Sequence, residues 1–366
     1  MRTWWSSAHR EHRPSVEMSG GRLVPHVEVP DRADRVLEAV VAAGLGSVNE
    51  VVVDEQAVRA AAERVHEAAM LDFLAAAWPR WAADGRDWDA LPMVWPVPAL
   101  RFATSEGARP PADIQGQLAH WCFDAGTPIG PGTWSASVAS GACALAAADA
   151  LAAGANAGEP MFALCRPPGH HAAPAAFGGY CYLNNSAIAA QRLLDGGRSR
   201  VAVLDVDYHH GNGTQAVFWE RSDVLTISVH ADPSKAYPYF SGHASEVGGG
   251  AGTGANLNLP LPDGTGWDDY AVALDAAVAA LVAFRPEALV VALGVDTHTA
   301  DPISGFDLAA GDYARLGSRI GALGLPTVVV LEGGYALAEI GPTVVELLAA
   351  LADTQAQAGR AGQAGK

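Results

Sequence analysis

Long apolar runs and clusters of basic residues are both missing from this sequence. No stretch approaches the roughly 18 uninterrupted apolar residues of a transmembrane helix, and the Ala- and Val-rich run 271–284 is broken by Asp275. Residues 1–11 lack the apolar region of a signal peptide. The formal net charge is −17, so nucleic acid is a poor electrostatic partner. We therefore expect no membrane or nucleic-acid binding, and an acidic surface that favours cationic ligands.

Cysteine is also scarce. The chain has four cysteines, none of them in a CxxC pair: Cys122, Cys143, Cys165 and Cys181. Metal-binding thiolates usually come in such closely spaced pairs, so a thiolate metal site is not expected. Isolated cysteines fit reduced thiols, and we expect a cytoplasmic protein.

Five short apolar runs predict strands. They are continuous rather than alternating, as in strands that are buried on both faces of a sheet. These runs cover residues 161–165, 201–206, 224–229, 288–294 and 327–331. Helical patterns precede or separate them, over residues 31–44, 54–77, 133–154, 184–195, 268–284 and 308–324. The alternation predicts an α/β fold, a parallel sheet flanked by helices, in a single domain over residues 1–353.

Two segments depart from this alternation. Residues 78–112 are rich in tryptophan and proline, which predicts a long ordered loop, because aromatic rings are unfavourable in water. A monomer would bury such a loop poorly, so we expect a homodimer with the loop at or near its interface. Residues 354–366 are of low complexity and predict a disordered tail.

The segment 201–214 carries the strongest functional pattern. Its predicted strand ends in Asp205, Asp207 and His209. In an extended chain alternate side chains share a face, so Asp207 and His209 would project together, as two ligands of one ion. Open α/β sheets also bind ligands beyond the carboxyl ends of their strands. A polar turn after a strand is the alternative interpretation of one Asp-x-His pattern.

The other four predicted strands end in comparable groups, which are Asp296, the pair His170 and His171, His230, and Tyr335. Two carboxylates and one imidazole suit a catalytic zinc ion with an open coordination position. We therefore predict Asp207, His209 and Asp296 as zinc ligands. The turn at residues 167–169 could bring the two adjacent histidines to the metal, as a general base and an electrostatic partner.

Six motifs resemble those of the histone deacetylase superfamily and occur in its order. They are RPPGHHA (166–172), GGYCYLNN (178–185), DVDYHHGNGTQ (205–215), TISVH (226–230), GVDTHTADPISGF (294–306) and EGGY (332–335). Further motifs are similar to those of bacterial acetylpolyamine amidohydrolases: SGGRLVP (19–25), GTW (132–134), AYPYF (236–240) and GAGTGANLNLPLPDGTG (250–266). The resemblance implies an arginase- and deacetylase-like fold and an enzyme that hydrolyses N-acetyl amides of small primary amines, with acetylpolyamines as the expected substrates.

The resemblance also implies roles for individual residues. It places one zinc ion on the three ligands that the spacing predicts. It makes His171 the general base and acid, and His170 an electrostatic partner that is hydrogen-bonded to Asp205. Asn212 would orient His171, at a position where many relatives carry aspartate. Tyr335 would polarise the substrate carbonyl and then stabilise the oxyanion.

A substrate tunnel and a second cation follow from the resemblance alone. Tyr180 and Phe240, with Gly179, match the walls of a narrow tunnel for an aliphatic chain, although core packing is the commoner role of such aromatic residues. His298 would lie near the rim, and His230 matches a motif position of unclear role. The family also binds a monovalent cation, usually potassium. The matching residues, acting largely through backbone carbonyls, are Asp205, Asp207, His209, Ser228 and Val229.

A polyamine substrate would need a carboxylate near the tunnel entrance. Glu106 and Asp113 are candidates, because they lie in the loop segment that faces the entrance in relatives. Solvated loop charge is the alternative interpretation of both. Gln115 stands where some relatives carry an acidic residue, which would weaken the selection of polyamines.

Other functions share parts of this pattern. A protein lysine deacetylase, or a specialised deacylase of another acylated amine, would use the same catalytic residues. The loop 78–112 favours a small substrate, because it resembles the insertion that narrows the active site in polyamine enzymes. A ureohydrolase would carry two manganese ions on several aspartates instead of the histidine pair and Tyr335. A non-catalytic small-molecule binding protein would have lost one of these groups, and all of them are present.

Overall fold

The computed structural model describes residues 1–96, 111–154 and 158–364. The strands are β1 (Arg2–Trp5), β2 (Val16–Ser19), β3 (Arg22–Pro25), β4 (Ser47–Glu50), β5 (Met161–Ala163), β6 (Val201–Asp205), β7 (Val224–Ala231), β8 (Asn256–Leu261), β9 (Ala288–Leu293) and β10 (Thr327–Leu331). The helices are α1 (Asp31–Ala42), α2 (Glu55–Ala62), α3 (Ala68–Ala83), α4 (Ile114–Trp121), α5 (Thr133–Ala152), α6 (Asn185–Asp195), α7 (Asn212–Phe218), α8 (Trp267–Phe284), α9 (Asp312–Gly321) and α10 (Ile340–Ala364).

Eight of the strands form one parallel sheet in the order β4-β1-β5-β10-β9-β6-β7-β8. The five strands that the sequence predicts are the consecutive central ones, from β5 to β7. Strands β2 and β3 form a separate antiparallel hairpin. The predicted fold class, a parallel sheet flanked by helices, is therefore confirmed.

Two apolar clusters cover the two faces of the sheet. Val201 and Val203 of β6 belong to one cluster, and Ala202 and Leu204 belong to the other. Residues of α3, α5 and α6 pack on the first face, and residues of α1, α8, α9 and α10 on the second. Because β6 is covered on both faces, its sequence is a continuous apolar run. All four cysteines are buried and free of disulfides.

Helix α5 is long and apolar enough, by length and composition, to cross a membrane. However, 67% of its most apolar 18-residue window is buried inside the protein. The helix packs against α2, α6 and β5. Its apolar surface is thus covered by the fold, as in the core helices of globular domains.

The helix predicted over residues 54–77 is two helices, α2 and α3. The chain turns between them, where Glu67 N donates a hydrogen bond to Pro174 O at 2.7 Å and His66 Nδ1 lies 2.9 Å from Ala173 O. Helix α3 then continues through Pro79 to Ala83. The loop predicted to begin at residue 78 therefore begins only after this helix.

Three of the four tryptophans in segment 78–112 are at least partly buried. Trp81 is 3% exposed, and Trp95 Nε1 donates a hydrogen bond to Cys122 O at 2.9 Å. Exposure is concentrated instead in residues 88–94, where Trp88, Met93 and Val94 are each more than half exposed. We call these three residues the apolar patch. Residues 97–110 of the predicted loop lie outside the described part of the chain.

Helix α10 runs through residues 354–364, where the sequence predicts disorder. Gln355 is buried, and its Nε2 donates a hydrogen bond to Leu325 O at 2.7 Å. The helix packs along α9 and α1. These contacts to distant elements order a segment that has little apolar pattern of its own.

Candidate metal centre and active site

Three side chains converge where the neighbouring strands β6 and β9 end. Asp207 and His209 follow β6, and Asp296 follows β9. His209 Nδ1 lies 2.9 Å from Asp296 Oδ2 and 3.3 Å from Asp207 Oδ1. Both carboxylates are fully buried. One ligand atom of each residue lies within 4.8 Å of the others, so this set can surround a single ion.

The electrostatics of this set favour a cation. Burial, followed by the negative charge of Asp207, raises the pKa of Asp296 to about 7. Burial opposes charge on His209, but hydrogen bonds to Asp207 and Asp296 raise its pKa to about 9. Two buried carboxylates thus attract positive charge between them. Two oxygen donors and one imidazole nitrogen form a set that suits zinc.

The adjacent histidines lie beside this set, with ring centroids 4.0 Å apart. His170 Nδ1 lies 2.9 Å from Asp205 Oδ2, and its Nε2 lies 3.8 Å from Asp207 Oδ1. Burial lowers the pKa of His170, but the charges of Asp207 and Asp205 have the larger combined effect and raise it. Burial, followed by the positive charges of His170 and His209, lowers the pKa of His171. These surroundings therefore favour the charged form of His170 and the neutral form of His171.

Asn212 determines the tautomer of His171. Asn212 Oδ1 lies 2.6 Å from His171 Nδ1, and the Asn212 amide nitrogen donates to the His171 carbonyl at 3.4 Å. Because an amide oxygen only accepts, Nδ1 carries the proton and Nε2 keeps its lone pair. Gly179 lies against the same ring, where a Cβ atom would come within 2.2 Å of Cδ2. A larger residue at position 179 would displace the imidazole.

Tyr335 enters the site from the loop after β10. Its backbone nitrogen donates a hydrogen bond to Asp301 Oδ2 at 2.7 Å, and Gly333 N donates to Asp207 Oδ2 at 2.8 Å. A Cβ atom on Gly333 would lie 2.5 Å from that carboxylate oxygen, so this close approach requires glycine. Burial is the main cause that raises the pKa of Tyr335 well above its usual value, and the hydroxyl therefore keeps its proton.

These groups open into a pocket of about 330 Å³. Its lining includes His171, His209, Tyr335, Gly179 and Tyr180, all of them predicted site residues. The structure thus brings the predicted imidazole, phenol and tunnel groups to one cavity. Sequence interpretation missed other lining residues, among them Glu17, Asp124, Tyr237, Tyr239 and Ile303.

Two of the missed residues bring carboxylates to the pocket. Glu17 Oε1 accepts a hydrogen bond from the Tyr180 hydroxyl at 3.0 Å. Asp124 Oδ2 accepts two hydrogen bonds, one from Gly179 N and one from the Tyr237 hydroxyl, both at 2.6 Å. Nothing in the local sequence around either acid indicates a site. Their positions depend on how distant segments meet.

Phe240 does not belong to the pocket lining, although the sequence predicts it as a tunnel wall. Its side chain is 93% exposed. Tyr237 and Tyr239 of the same motif line the pocket instead, and the Tyr237 ring stands edge-on to His171 at 5.0 Å. Tyr239 has a φ of 67°, a sharp turn after which Phe240 points outward. The motif therefore indicates the correct segment, and the assignment of Phe240 is wrong.

Of the two predicted rim carboxylates, the structure describes only Asp113. Asp113 caps α4, and its carboxylate accepts a hydrogen bond from Gln115 N at 2.8 Å. Asp113 is not among the residues that line the pocket. Glu106 lies outside the described residues. The pocket's acidic groups in the described part of the chain come from Glu17 and Asp124 instead.

The remaining predicted residues lie along the same edge of the sheet. Asp205 and Ser228 are register partners on β6 and β7. The two ring nitrogens of His230 are engaged by Ser228 Oγ at 2.8 Å and Gly242 O at 2.9 Å. His298 Nδ1 accepts a hydrogen bond from Ala300 N at 3.1 Å. His230 and His298 thus have structural partners, and Ser228 and Val229 lie on β7.

The parallel sheet and the groups at its carboxyl edge define a hydrolase of the arginase and deacetylase fold class. The histone deacetylase domain model matches residues 26–351. The chain belongs to the histone deacetylase family and is a deacetylase.

Several known proteins are similar to this chain over nearly its whole length. Acetylpolyamine amidohydrolase 2 of Pseudomonas aeruginosa is 49% identical over 348 residues, which are 95% of this chain and 98% of that protein. Acetylpolyamine amidohydrolase of Mycoplana ramosa is 46% identical and covers 96% of this chain and 100% of its own length. A crystal structure of acetylpolyamine aminohydrolase from Burkholderia pseudomallei superimposes with a TM-score of 0.88, at 38% identity, over 97% of this chain and 99% of that one.

Proposed function

We propose that this protein is a zinc-dependent amidohydrolase that removes acetyl groups from small primary amines, with acetylpolyamines as the preferred substrates. One observation carries the proposal: the convergence of Asp207, His209 and Asp296 beside a pocket that His171 and Tyr335 also line. These three residues would hold the zinc ion. When bound, zinc would lower the pKa of a water molecule and polarise the scissile carbonyl.

The histidine pair supplies the proton transfers. His171 is neutral and presents Nε2, so it accepts a proton from the attacking water as a new C–O bond forms. It then delivers that proton to the leaving nitrogen as the C–N bond breaks, which yields acetate and the free amine. His170, held charged by Asp205 and Asp207, keeps the neighbouring His171 from protonation before the reaction.

Tyr335 stabilises the oxyanion. Its hydroxyl stays protonated and donates a hydrogen bond to the carbonyl oxygen, where negative charge develops. Two backbone hydrogen bonds, to Asp207 and Asp301, hold its loop in place before the substrate binds. The donor is thus positioned in advance, which is how such groups lower a barrier.

The substrate assignment rests on the relatives and on the pocket. The relatives named above are acetylpolyamine amidohydrolases. Tyr180, Tyr237 and Tyr239 give the pocket aromatic walls that suit a chain of methylenes, and Glu17 and Asp124 add carboxylates that favour a cation. A protein lysine deacetylase is the second candidate, because it would use the same catalytic groups.

The preference between these substrates can be measured directly. We expect kcat/KM for acetylated putrescine, cadaverine and spermidine to exceed that for an acetyl-lysine peptide. The preference should decline as salt rises, because a charge of −17 attracts polycations through interactions that salt screens. Acetylated butylamine, which lacks the second amine, is a matched control for the contribution of charge. Equal or greater efficiency on the peptide, without salt dependence, would overturn the polyamine assignment while leaving the deacetylase chemistry intact.

A homodimer is the second part of the proposal. The apolar patch exposes Trp88, Met93 and Val94 within the predicted loop 78–112, and exposed patches of this kind mark association surfaces. We expect light scattering at micromolar concentration to give twice the chain mass of 37.8 kDa. Met93→Glu would place a charge in the patch and should shift the protein toward monomer, whereas Val272→Glu on exposed α8 should not. A monomer at every concentration of the unmodified protein would contradict this prediction.

Two further properties complete the proposal. A potassium ion would bind at Asp205, Asp207, His209, Ser228 and Val229, largely through backbone carbonyls. The support is the family resemblance and the register pairing of Asp205 with Ser228. A cytoplasmic location is consistent with four free, buried thiols.

A further inference from the structure

A second cluster of buried polar groups lies away from the zinc ligands. His12 and Glu28 are fully buried and His26 is 5% exposed. His12 Nε2, His26 Nε2 and Glu28 Oε2 have no hydrogen-bond partner among the described residues. One atom from each of these residues lies within 4.8 Å of the others. Because buried polar atoms are nearly always paired, these three atoms point to a bound species between them.

Two histidines and a carboxylate form a set that could hold a metal ion or a water molecule, and the spacing is compatible with both. His12 Nε2 and Glu28 Oε2 are 3.9 Å apart. Ligands about 2.1 Å from a tetrahedral metal lie about 3.4 Å from each other. Hydrogen-bond partners about 2.8 Å from one water molecule lie about 4.6 Å apart at the tetrahedral angle, and closer at smaller angles. The candidate zinc set, with separations of 2.9 and 3.3 Å, is more tightly spaced than this cluster.

The charge around the cluster disfavours a metal ion. Glu28 Oε1 already accepts hydrogen bonds from Arg32 at 2.6 Å and from Arg166 at 2.8 Å. Glu17, which binds His26, is the second carboxylate of this network, so its two carboxylates and two buried guanidinium groups balance in charge. A divalent cation would add two uncompensated positive charges in a site without solvent. A small anion is disfavoured as well, because the unpaired oxygen of the Glu28 carboxylate would repel it. Every guanidinium nitrogen that could bind an anion already has a hydrogen-bond partner.

We propose that His12, His26 and Glu28 bind one ordered water molecule and that this water helps to position the wall of the substrate pocket. The hydrogen bonds have a consistent direction. His26 Nδ1 donates to Glu17 Oε2 at 2.8 Å, so its Nε2 accepts from the water. His12 Nδ1, 3.0 Å from Thr133 Oγ1, accepts the hydroxyl proton, so its Nε2 donates to the water. The second water proton goes to Glu28 Oε2, and every group in the cluster is then satisfied.

The water connects to the pocket through His26. Glu17 accepts hydrogen bonds from His26 on one oxygen and from the Tyr180 hydroxyl on the other. Glu17 and Tyr180 both line the pocket. The water holds the His26 ring in place through Nε2, and His26 in turn positions the Glu17 carboxylate that binds the Tyr180 hydroxyl. His12 and His26 are therefore positioning residues, which act on substrate binding through Glu17.

The far side of the cluster meets the loop of Tyr335. Arg32, bound to Glu28, donates to Gly334 O at 2.5 Å and to Glu332 O at 2.6 Å. Its guanidinium carbon lies 4.6 Å from the centre of the Tyr335 ring. The water thus completes a hydrogen-bonded layer that extends behind both Tyr180 and Tyr335.

A crystal structure of the unmodified protein at about 1.5 Å resolution tests the ligand. The expected result is a single peak about 2.8 Å from each of the three atoms, without anomalous signal and without a second metal in elemental analysis. A peak at about 2.1 Å with anomalous signal would identify a metal and overturn the proposal. A featureless region between the three atoms would overturn it as well.

A pair of variants tests the positioning role. Gln at position 12 carries an amide nitrogen where His12 has Nε2 and can donate to the water, whereas Phe cannot. We expect His12→Phe to raise KM for the acetylated amine by roughly 3- to 10-fold, the size of couplings within one hydrogen-bond network, with a smaller change in kcat. His12→Gln should restore most of the KM.

A general loss of folded protein would lower the amount of active enzyme and leave KM unchanged. Equal KM values for the two variants and the unmodified protein would overturn the positioning role. This kinetic test rests on the proposed deacetylation, but the diffraction test does not. Failure of the water site and failure of the proposed function can therefore be distinguished.

Discussion

Replacing Asp207 with alanine is expected to abolish both zinc retention and deacetylase activity. Asp207 is fully buried and contacts His209 with one oxygen and Gly333 N with the other. Its removal takes one ligand from a set of three and leaves Asp296 and His209 poorly compensated. Elemental analysis of purified protein should find close to no zinc per chain, and acetylputrescine hydrolysis should fall to background.

The control for this variant is Asp72→Ala. Asp72 is an exposed aspartate on α3 that pairs with Arg59, and surface ion pairs contribute little to stability. This control should keep one zinc ion per chain and full activity. Circular dichroism should show that both variants are folded. Full zinc occupancy in Asp207→Ala would refute the assignment of the metal site.

The second large effect is expected for Tyr335→Phe, which should lower kcat by about 10²–10³, as loss of one oxyanion donor does elsewhere. KM should change less, because the hydrogen bond strengthens as charge develops in the transition state. Steady-state kinetics with one acetylated diamine measures both constants. His171→Ala should be at least as damaging, because the proton acceptor is lost.

Tyr180→Phe provides a matched comparison for this hydroxyl deletion. Tyr180 lines the same pocket, and its ring lies 5.7 Å from that of Tyr335, but its hydroxyl is bound to Glu17. Its loss should therefore affect KM more than kcat. If Tyr335→Phe kept kcat within a few-fold of the unmodified enzyme, Tyr335 could not be the oxyanion donor.

The centre of the sheet is predictable from the sequence because its strands are buried on both faces. Strands β5, β6, β7, β9 and β10 are fully buried, and apolar residues make up most of each. The edge strand β8 alternates as NLNLPL with one face partly exposed. Strand β4, at the other edge, has no buried residue. Such edge strands lack a continuous apolar pattern. They form because the backbone of the neighbouring strand has free hydrogen-bonding groups to pair with.

The candidate site likewise has residues that the sequence predicts and residues that it does not. Asp207 and Asp296 each come directly after a predicted strand. Because neighbouring parallel strands have their carboxyl ends at the same edge of the sheet, the two side chains are expected to meet there. Glu17 belongs to the hairpin strand β2, whose contact with Tyr180 spans 163 positions of sequence. Nothing local to Glu17 indicates that contact. The turn at Tyr239 likewise decides which aromatic residue of the AYPYF motif faces inward.

The hydrogen bond from Gly333 N to Asp207 Oδ2 joins the metal set to the loop of Tyr335. Occupancy of the metal site and order in that loop therefore belong to one thermodynamic cycle. By linkage, any interaction that holds the loop closed must tighten zinc binding by the same factor by which zinc closes the loop. An inhibitor that locks Tyr335 in place would thus also shift the partition of zinc between the protein and a chelator toward the protein, even without touching the ion.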